Sequence, residues 1–556
     1  MSEVSSRQKA TAGPFSQVIA VSQDAINTAL LFLFQKHKEL QKIVVKDPNN
    51  GELDAQMSTA KVMFPVTGQN YSTVVYHCFF KSGTLKLKTN NGFGPPIKVD
   101  GWVFAFEVDL AKLAVTEGTE LSEIKQKLNQ PGDYSISRLY MDFTKHKWAN
   151  GERTKFLVLM LSWGESSTMT DAKKTTVGYA LETKKPETVN KPAPTFPPTA
   201  LRHQIYKYMA PGALKPEEGL DKGKNALLYV EMTQNRPWPQ DTPLSYSGNF
   251  IINNMKATAC ISPQVFFDSY LLRNVPPKAQ TDVPGLLQQF NRWLYFFLGN
   301  FDVYWNSNDN QWHLRFSFFI GPTDFKKNQY PFEEVLRDPN FFAFHRKSDT
   351  QWEFRKELIP HDTKGSGDHY ATSEGNATTV NTVTIHPGSN KITLSGKSYM
   401  YMKFYGKNRK SWFQHKGGVV LTWNTSAELK SVHQGGLEIQ LNVPSESSKW
   451  VSTKFLENPE TFDSSLMESV SVGIDWKPIK KIKEAVDDAV KNLNFKPLSH
   501  DLKSALGSTS RYVLSGGRNF LYKDPIFGNK GDMLVEAQYD GVQSTDSAAG
   551  GYFDTE

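Results

Sequence analysis

Residues Ile26 to Phe34 put apolar side chains almost all the way round a helix, and a segment of that kind cannot stand bare in water. Ser22 is a good N-cap, with Asp24 in the first turn beside the positive end of the helix dipole. Behind them Ile26, Leu30, Leu33, His37 and Leu40 recur at the spacing of one helical face. Ala29, Leu31, Phe32 and Phe34 spread the apolar surface to the other sides. The expectation is a concave shell of other elements enclosing this helix.

Strands supply the material for such a shell. Phe15–Val21 reads as a short strand, and Val74–Phe80 and Thr84–Lys88 as a pair turning at Ser82-Gly83. Trp102–Val108 and Ala226–Met232 are further strands. The near-continuous apolar run Lys155–Trp163 reads as a strand buried on both faces. Phe301, Val303 and Trp305 alternate with polar residues, Asn306–Asn310 turns, and Trp312, Leu314, Phe316 and Phe318 alternate again. Val383–Phe404 repeats the pattern, with turns at Pro387–Asn390 and Ser395-Gly396, and Val419–Trp423 and Leu437–Leu441 continue it. Serial hairpins imply an antiparallel meander.

Helical signals return at three places. Ser262-Pro263 opens one helix, and Asp282 opens another that Gly299 closes. Near the C-terminus Ile479, Ile482, Val486, Ala489, Val490 and Leu493 form one stripe behind Asp475, and a shorter helix runs Ser499–Gly507 before a last strand, Met533–Tyr539. Prolines 186, 192, 194, 197 and 198 mark residues 182–200 as an extended connector. The expected organisation is an N-terminal helix with antiparallel sheet over 1–181, the connector, a β-rich region with C-terminal helices over 201–540, and a mobile tail over 541–556. Residues 1–14 read as a loose leader.

Composition narrows the function. The chain carries 64 Lys and Arg against 57 Asp and Glu, a net +7, which permits attraction to an anionic surface. No Arg-rich arm or aromatic RNA-binding motif accompanies that charge, so nucleic acid is not an expected partner. Two cysteines, Cys78 and Cys260, are too few for a disulfide framework and read as buried thiols. The opening residues lack the apolar core of a secretory signal, and no run is long enough to span a bilayer. The expectation is therefore a soluble protein, cytoplasmic as made, with release by a non-standard route open.

Motifs for chemistry are weak. There is no G-x-S-x-G elbow, P-loop or H-E-x-x-H, and Gly92–Pro96 reads as a turn. Ser366, Asp368 and His369 sit close in sequence, but triads assemble from separated segments, and Lys364–His369 reads as a polar loop. No cofactor, metal site or catalytic residue is expected. One polar stretch stands out: Lys403, Lys407, Arg409, Lys410 and Lys416 interleave with Phe404, Tyr405, Trp412 and Phe413. Cations among aromatics suit a membrane interface.

Three segments carry a resemblance. Val18–Asn27, Ile261–Leu272 and Asn529–Glu536 resemble the opening strand and helix, a mid-chain helix and the closing strand of clostridial OrfX-type proteins of the tubular lipid-binding (TULIP) superfamily. The resemblance implies an elongated α+β fold in which long amphipathic helices are wrapped by highly curved antiparallel sheets, with lipid between them. A groove lined by Ile26, Leu30, Leu33, Phe34, Ile482, Val486 and Val490 is the expected lipid site. Lys407, Arg409, Lys410, Trp412 and Phe413 are the expected membrane-surface site. The function expected is non-enzymatic lipid or membrane-surface binding, as an accessory to a toxin or secreted complex. Protein partners and self-association stay open. Two rivals remain: a carbohydrate-binding protein or glycoside hydrolase, and a self-assembling scaffold.

Overall fold

A computed structural model describes residues 2–65, 72–118, 121–122, 135–145, 154–183, 196, 198–216, 222–239, 243–272, 290–291, 294–320, 341–431, 437–444, 446, 449–455, 487–488, 490 and 520–539. The chain divides into two compact units, Met1–Val265 with Lys430–Glu438 and Ala505–Glu556, and Phe266–Leu429 with Ile439–Ser504. The strands on either side of the Pro-rich stretch both belong to the first unit, where the Thr183 amide bonds the Pro198 carbonyl at 2.8 Å. All described strand pairings are antiparallel, and helix is scarce among the described residues.

Among the described residues the first unit's α-helices include α1 (Glu3–Lys9), α2 (Gln23–Lys36) and α3 (Lys155–Gly164). One sheet runs in the order β10 (Pro198–Tyr206), β11 (Ala226–Thr233), β1 (Gln17–Ser22), β12 (Ala257–Ile261), β24 (Met533–Tyr539), β23 (Phe520–Phe527). Its central strands are buried on both faces, and Val18, Ala20, Leu228, Val230, Cys260 and Leu534 share one core cluster. The other sheet runs β2 (Lys42–Asp47), β3 (Gly51–Met63), β4 (Thr73–Thr89), β7 (Val103–Ala114), β8 (Ser135–Asp142), β9 (Thr176–Glu182), with β5 (Gly92–Phe93) and β6 (Ile97–Lys98) on β4.

The Ser22 hydroxyl caps α2, accepting from the Ala25 amide at 3.0 Å. The helix then docks against β3 through Gln23 and Asn27, whose amides bond the backbone of Phe64 and Val62. Ala25, Ile26, Ala29, Leu30 and Leu33 are buried, while Phe32 and Phe34 are half-buried and Leu31 is 38 % exposed. The expected all-round enclosure is thus corrected: α2 is covered on one side. Its 14 residues and the 10 of α3 are also short of the long helices expected. Burying Ile26, Leu30 and Leu33 stabilises the unit by roughly 6 kcal/mol, at about 2 kcal/mol per large aliphatic side chain.

Several local expectations are also corrected. Residues 155–163 form α3 and not a strand. The Thr154 hydroxyl caps it, accepting from the Leu157 amide at 3.2 Å, and Phe156 packs its ring against Phe80, Trp102 and Phe104. Ser82-Gly83 is no turn but part of the 17-residue β4, in which a side chain at Gly83 would meet the Ala55 Cα at 2.5 Å. The leader is ordered: Glu3 accepts bonds from Tyr208, Lys224 and Asn253, and Ala12 donates to Asp532 at 2.9 Å. Cys78 and Cys260 are free thiols, both buried.

In the second unit a large sheet runs β15 (His345–Ser348), β16 (Gln351–Leu358), β18 (His369–Ile385), β19 (Lys391–Asn408), β20 (Ser411–Ser431), β21 (Leu437–Asn442), with β17 (His361–Ser366) on β18 and β22 (Val451–Phe455) on β20. A hairpin of β13 (Phe296–Asn306) and β14 (Gln311–Ile320) completes the unit's described strands. Gly299 lies inside β13 and so does not close a helix. Ser395-Gly396 lies inside β19, whose pairing with β18 is unbroken from Ile392 to Asn408. The helix expected from Ser262 is a π-helical segment, Gln264–Leu271, marked by the Leu272 amide bonding the Phe267 carbonyl. The turns at 306–310 and 387–390 form as expected. Of the C-terminal helix only Asp487, Asp488 and Val490 are described, and those are helical. Of the helix expected after Asp282, Phe290 and Asn291 are described and helical, whereas Phe297 already lies in β13. Ile482 and Val486, the helix expected over 499–507, and the tail from 541 lie outside the described residues.

Alternation gives this sheet two faces. Trp352, Phe354, Val383, Ile392, Leu394, Met400, Leu421 and Trp423 point inward and are buried. Among them sits a closed polar network. The Trp423 indole donates to Asn381 at 2.9 Å, Asn381 to Asn291 at 2.9 Å, and Asn291 to the Phe342 carbonyl at 2.8 Å. Phe290 stacks on Trp423 with ring centroids 5.2 Å apart. A side chain at Gly396 would meet Asn381 at 2.0 Å and Trp423 at 2.2 Å, so only glycine leaves this network room.

Candidate functional site

Three hairpin ends of the second unit meet. The β19–β20 strands close over a two-residue loop, Arg409-Lys410, between paired Asn408 and Ser411. The β17–β18 strands close over Gly367-Asp368, and β13–β14 over Ser307–Asn310. The Arg409 amide donates to the Asp368 carbonyl at 2.6 Å, and the Asn408 amide group donates to the Asn310 carbonyl at 3.3 Å. The three turns therefore brace one another. Arg409 has φ 58°, the left-handed conformation that hairpins usually give to Gly or Asn. A guanidinium group occupies a turn position where a small residue would be less strained.

Behind the turns lies an aromatic block. Val303, Trp312, Ala371 and Phe404 are buried together, with Trp305, Leu314 and Phe413 packed on them. His369 lies 4.3 Å from Trp305 and 4.9 Å from Trp312 between ring centroids. In front of the block Trp412 is 57 % exposed, with the Lys407 ammonium 5.3 Å from its ring centre. Burial pushes the His415 imidazole, packed near Phe404 and Phe413, down to about 4.

The acids here are already engaged. Asp368 pairs with Lys407, Asp309 with His313 at 2.7 Å, and Asp362 accepts from the Val303 amide at 2.7 Å. Arg409 and Lys410 have no acidic partner among the described residues and stand exposed. The surface thus offers two uncompensated cations and an indole on a rigid support. Cation and amphipathic ring at one level are what a bilayer interface accommodates.

The five residues expected at a membrane surface, Lys407, Arg409, Lys410, Trp412 and Phe413, do share this end, although Phe413 is half-buried in the block and not free to insert. Sequence reasoning found the hairpin that turns at 306–310, missed the one that turns at Gly367-Asp368, and did not foresee that either braces the Arg409-Lys410 loop. Their signals were the Gly367-Asp368 pair and the Asn-rich turn at 306–310, but nothing local says that these turns meet. Lys364–His369, read as a polar loop, is the end of a hairpin. Its Asp368 and His369 turn to Lys407 and to the tryptophans, so no triad forms with Ser366. Of the expected lipid-groove residues, Ile26, Leu30 and Leu33 are buried in the first unit and Phe34 is half-buried there, whereas Val490 belongs to the second unit and is half-buried. Among the described residues no helix is long and apolar enough to cross a membrane, and no three His, Cys, Asp or Glu side chains converge as a metal site.

A separate open cavity of about 640 Å³ lies on the outward face of the β16–β18–β19 sheet, lined by Arg355, Asn376, Thr378, Val380, Thr382, Ser395, Gly396, Lys397 and Tyr399.

No family model matches the chain, and no curated protein does. Among solved structures it is similar to P47 of Clostridium botulinum E1, with 11% identity, a TM-score of 0.45, and coverage of 95% of this chain and 99% of that one. It is similar to P47 from Clostridium botulinum A2 at 10% identity and TM-score 0.42, covering 95% and 98%. A lipopolysaccharide binding protein aligns at 10% identity and TM-score 0.27, covering 95% and 100%. At these scores the chain's function rests on its own residues.

Proposed function

We propose that this chain is a non-enzymatic protein that binds anionic membrane surfaces through the three-hairpin end of its second unit. The observation that carries the reading is an exposed Trp412 flanked by Arg409 and Lys410 on a turn braced by two other hairpins. Bracing means little side-chain and loop entropy is lost on docking. Each cation brought to an anionic surface contributes about 1 kcal/mol, so Arg409 and Lys410 together account for roughly a thirtyfold preference over neutral lipid. Co-sedimentation with phosphatidylcholine vesicles, with and without phosphatidylserine, tests this. The Arg409→Glu/Lys410→Glu variant should lose the preference for phosphatidylserine, and Trp412→Ala should weaken binding to both vesicle types. Equal binding of the unmodified chain to both vesicle types would sink the reading.

A second reading concerns lipid chains. Leu31, Phe32 and Phe34 form an apolar strip on α2 that the rest of the first unit leaves partly uncovered. On this reading an acyl chain lies along α2 against Leu31, Phe32 and Phe34, outside the buried face of Ile26, Leu30 and Leu33, in the tubular arrangement that the OrfX-type segments imply, and the protein serves as an accessory to a toxin or other secreted complex. Native mass spectrometry of gently purified chain should then show lipid adducts that Leu31→Glu removes. Adducts unchanged in that variant would remove this site.

A further inference from the structure

We propose that the cavity on the outward face of β16, β18 and β19 is a binding site for an acidic saccharide, a sugar ring bearing a carboxylate or phosphate. The inference is independent of membrane docking. Arg355 pairs across the strands with Val380, and Val380 with Lys397, so the three stand in one row. Neighbouring strands are about 4.8 Å apart, which places the two cationic residues roughly 10 Å from each other across a valine. Both residues are exposed, and neither makes a hydrogen bond or ion pair among the described residues.

Of the carboxylates nearby, Glu353 pairs with Lys347 at 3.5 Å, and Glu357 accepts from the Asn376 amide at 3.1 Å and makes no ion pair with Arg355 or Lys397 among the described residues. The row therefore holds two positive charges whose long side chains can converge on one anionic group between them.

The rest of the lining suits a sugar ring. Thr382 and Ser395 pair on one side of the row, and Thr378 and Tyr399 on the other, with Asn376 and Tyr401 beyond. The hydroxyl and amide groups can exchange bonds with sugar hydroxyls, while Val380 and the Tyr399 ring give the apolar face of a pyranose something to lie on. The cavity's volume of about 640 Å³ accommodates one or two rings. Its floor is firm, because Gly396 backs onto Asn381 and Trp423.

The test is titration of the full chain, by calorimetry or ligand-observed NMR, with glucuronate, glucose 1-phosphate, glucose and inorganic phosphate. Both acidic sugars should bind at least tenfold more tightly than glucose and than phosphate alone. Arg355→Gln and Lys397→Gln should each weaken them several-fold, and Arg409→Glu should not. Phosphate binding as well as glucose 1-phosphate, or acidic-sugar binding unchanged in a folded Arg355→Gln/Lys397→Gln variant, would overturn the assignment, as would no binding of either acidic sugar. Vesicles carrying a glucuronosyl lipid separate the two sources of the headgroup. Binding that exceeds free glucuronate and is lost in the double variant assigns the site to a glycolipid, and equal binding assigns it to free saccharide.

Discussion

Gly396→Ala offers a direct measurement of how tightly the second unit's inner network is packed. The new methyl group would sit 2.0 Å from the Asn381 side-chain oxygen and 2.2 Å from the Trp423 indole nitrogen, both far inside van der Waals contact. Asn381 is fully buried and Trp423 is 3% exposed, so neither can swing into water. Overpacking of this kind costs about 1–3 kcal/mol. Separating the 2.9 Å Trp423–Asn381 bond leaves a buried donor without its acceptor, a further cost of about 1–3 kcal/mol. The sum is centred near 4 kcal/mol, which for a unit of this size lowers its melting temperature by roughly 8–16 °C. Differential scanning calorimetry reads the shift. Asn381→Ala removes the atom that the methyl group strikes. The double variant should therefore be less destabilised than the sum of the singles, by about 1 kcal/mol or more. A shift below about 2 °C, or simple additivity, would refute the packing argument.

Three further outcomes follow from the geometry. His415 is buried beside Phe404 and Phe413 with its pKa at about 4 against an ordinary 6.5, so the unfolded chain takes up its proton first as pH falls. Stability is complete above pH 6.5 and is lost progressively toward pH 4, by about 3 kcal/mol for this group; urea titrations of His415→Phe should show a flatter pH profile in that window, and an unchanged profile would count against the assignment. Burial pushes the Cys78 and Cys260 thiols well above the usual range, so a thiol reagent should modify them only as fast as the first unit opens, and rapid modification of the native chain would contradict their burial. Vesicle binding through Arg409 and Lys410 should weaken steeply with salt, because exposed charges are screened beyond about 8 Å at physiological ionic strength; salt-independent binding would point to the apolar strip on α2 instead.

The residues themselves determined the local structure wherever one period dominated. Strict alternation from Val383 to Phe404 and around Asn306–Asn310 admits only a half-buried hairpin. Ser22 and Asp24 announce the start of α2, and the basic-aromatic run from Lys403 to Lys416 was visible as a surface feature. Where nearly every position is apolar, the period carries little information: Phe156–Trp163, polar only at Ser162, reads as a strand buried on both faces and folds as α3. The Phe80, Trp102 and Phe104 rings against which Phe156 packs come from distant residues, and the tertiary fold settles the helix. Gly83 and Gly396 looked like turns because glycine permits them. Both are instead places where another backbone or side chain comes too close for a Cβ, a property of the partner and not of the glycine. The meeting of three hairpin turns at Arg409, Asp368 and Asn310, and the row Arg355–Val380–Lys397, depend on strand register. Register is a relation between segments far apart in sequence, and only the folded chain expresses it.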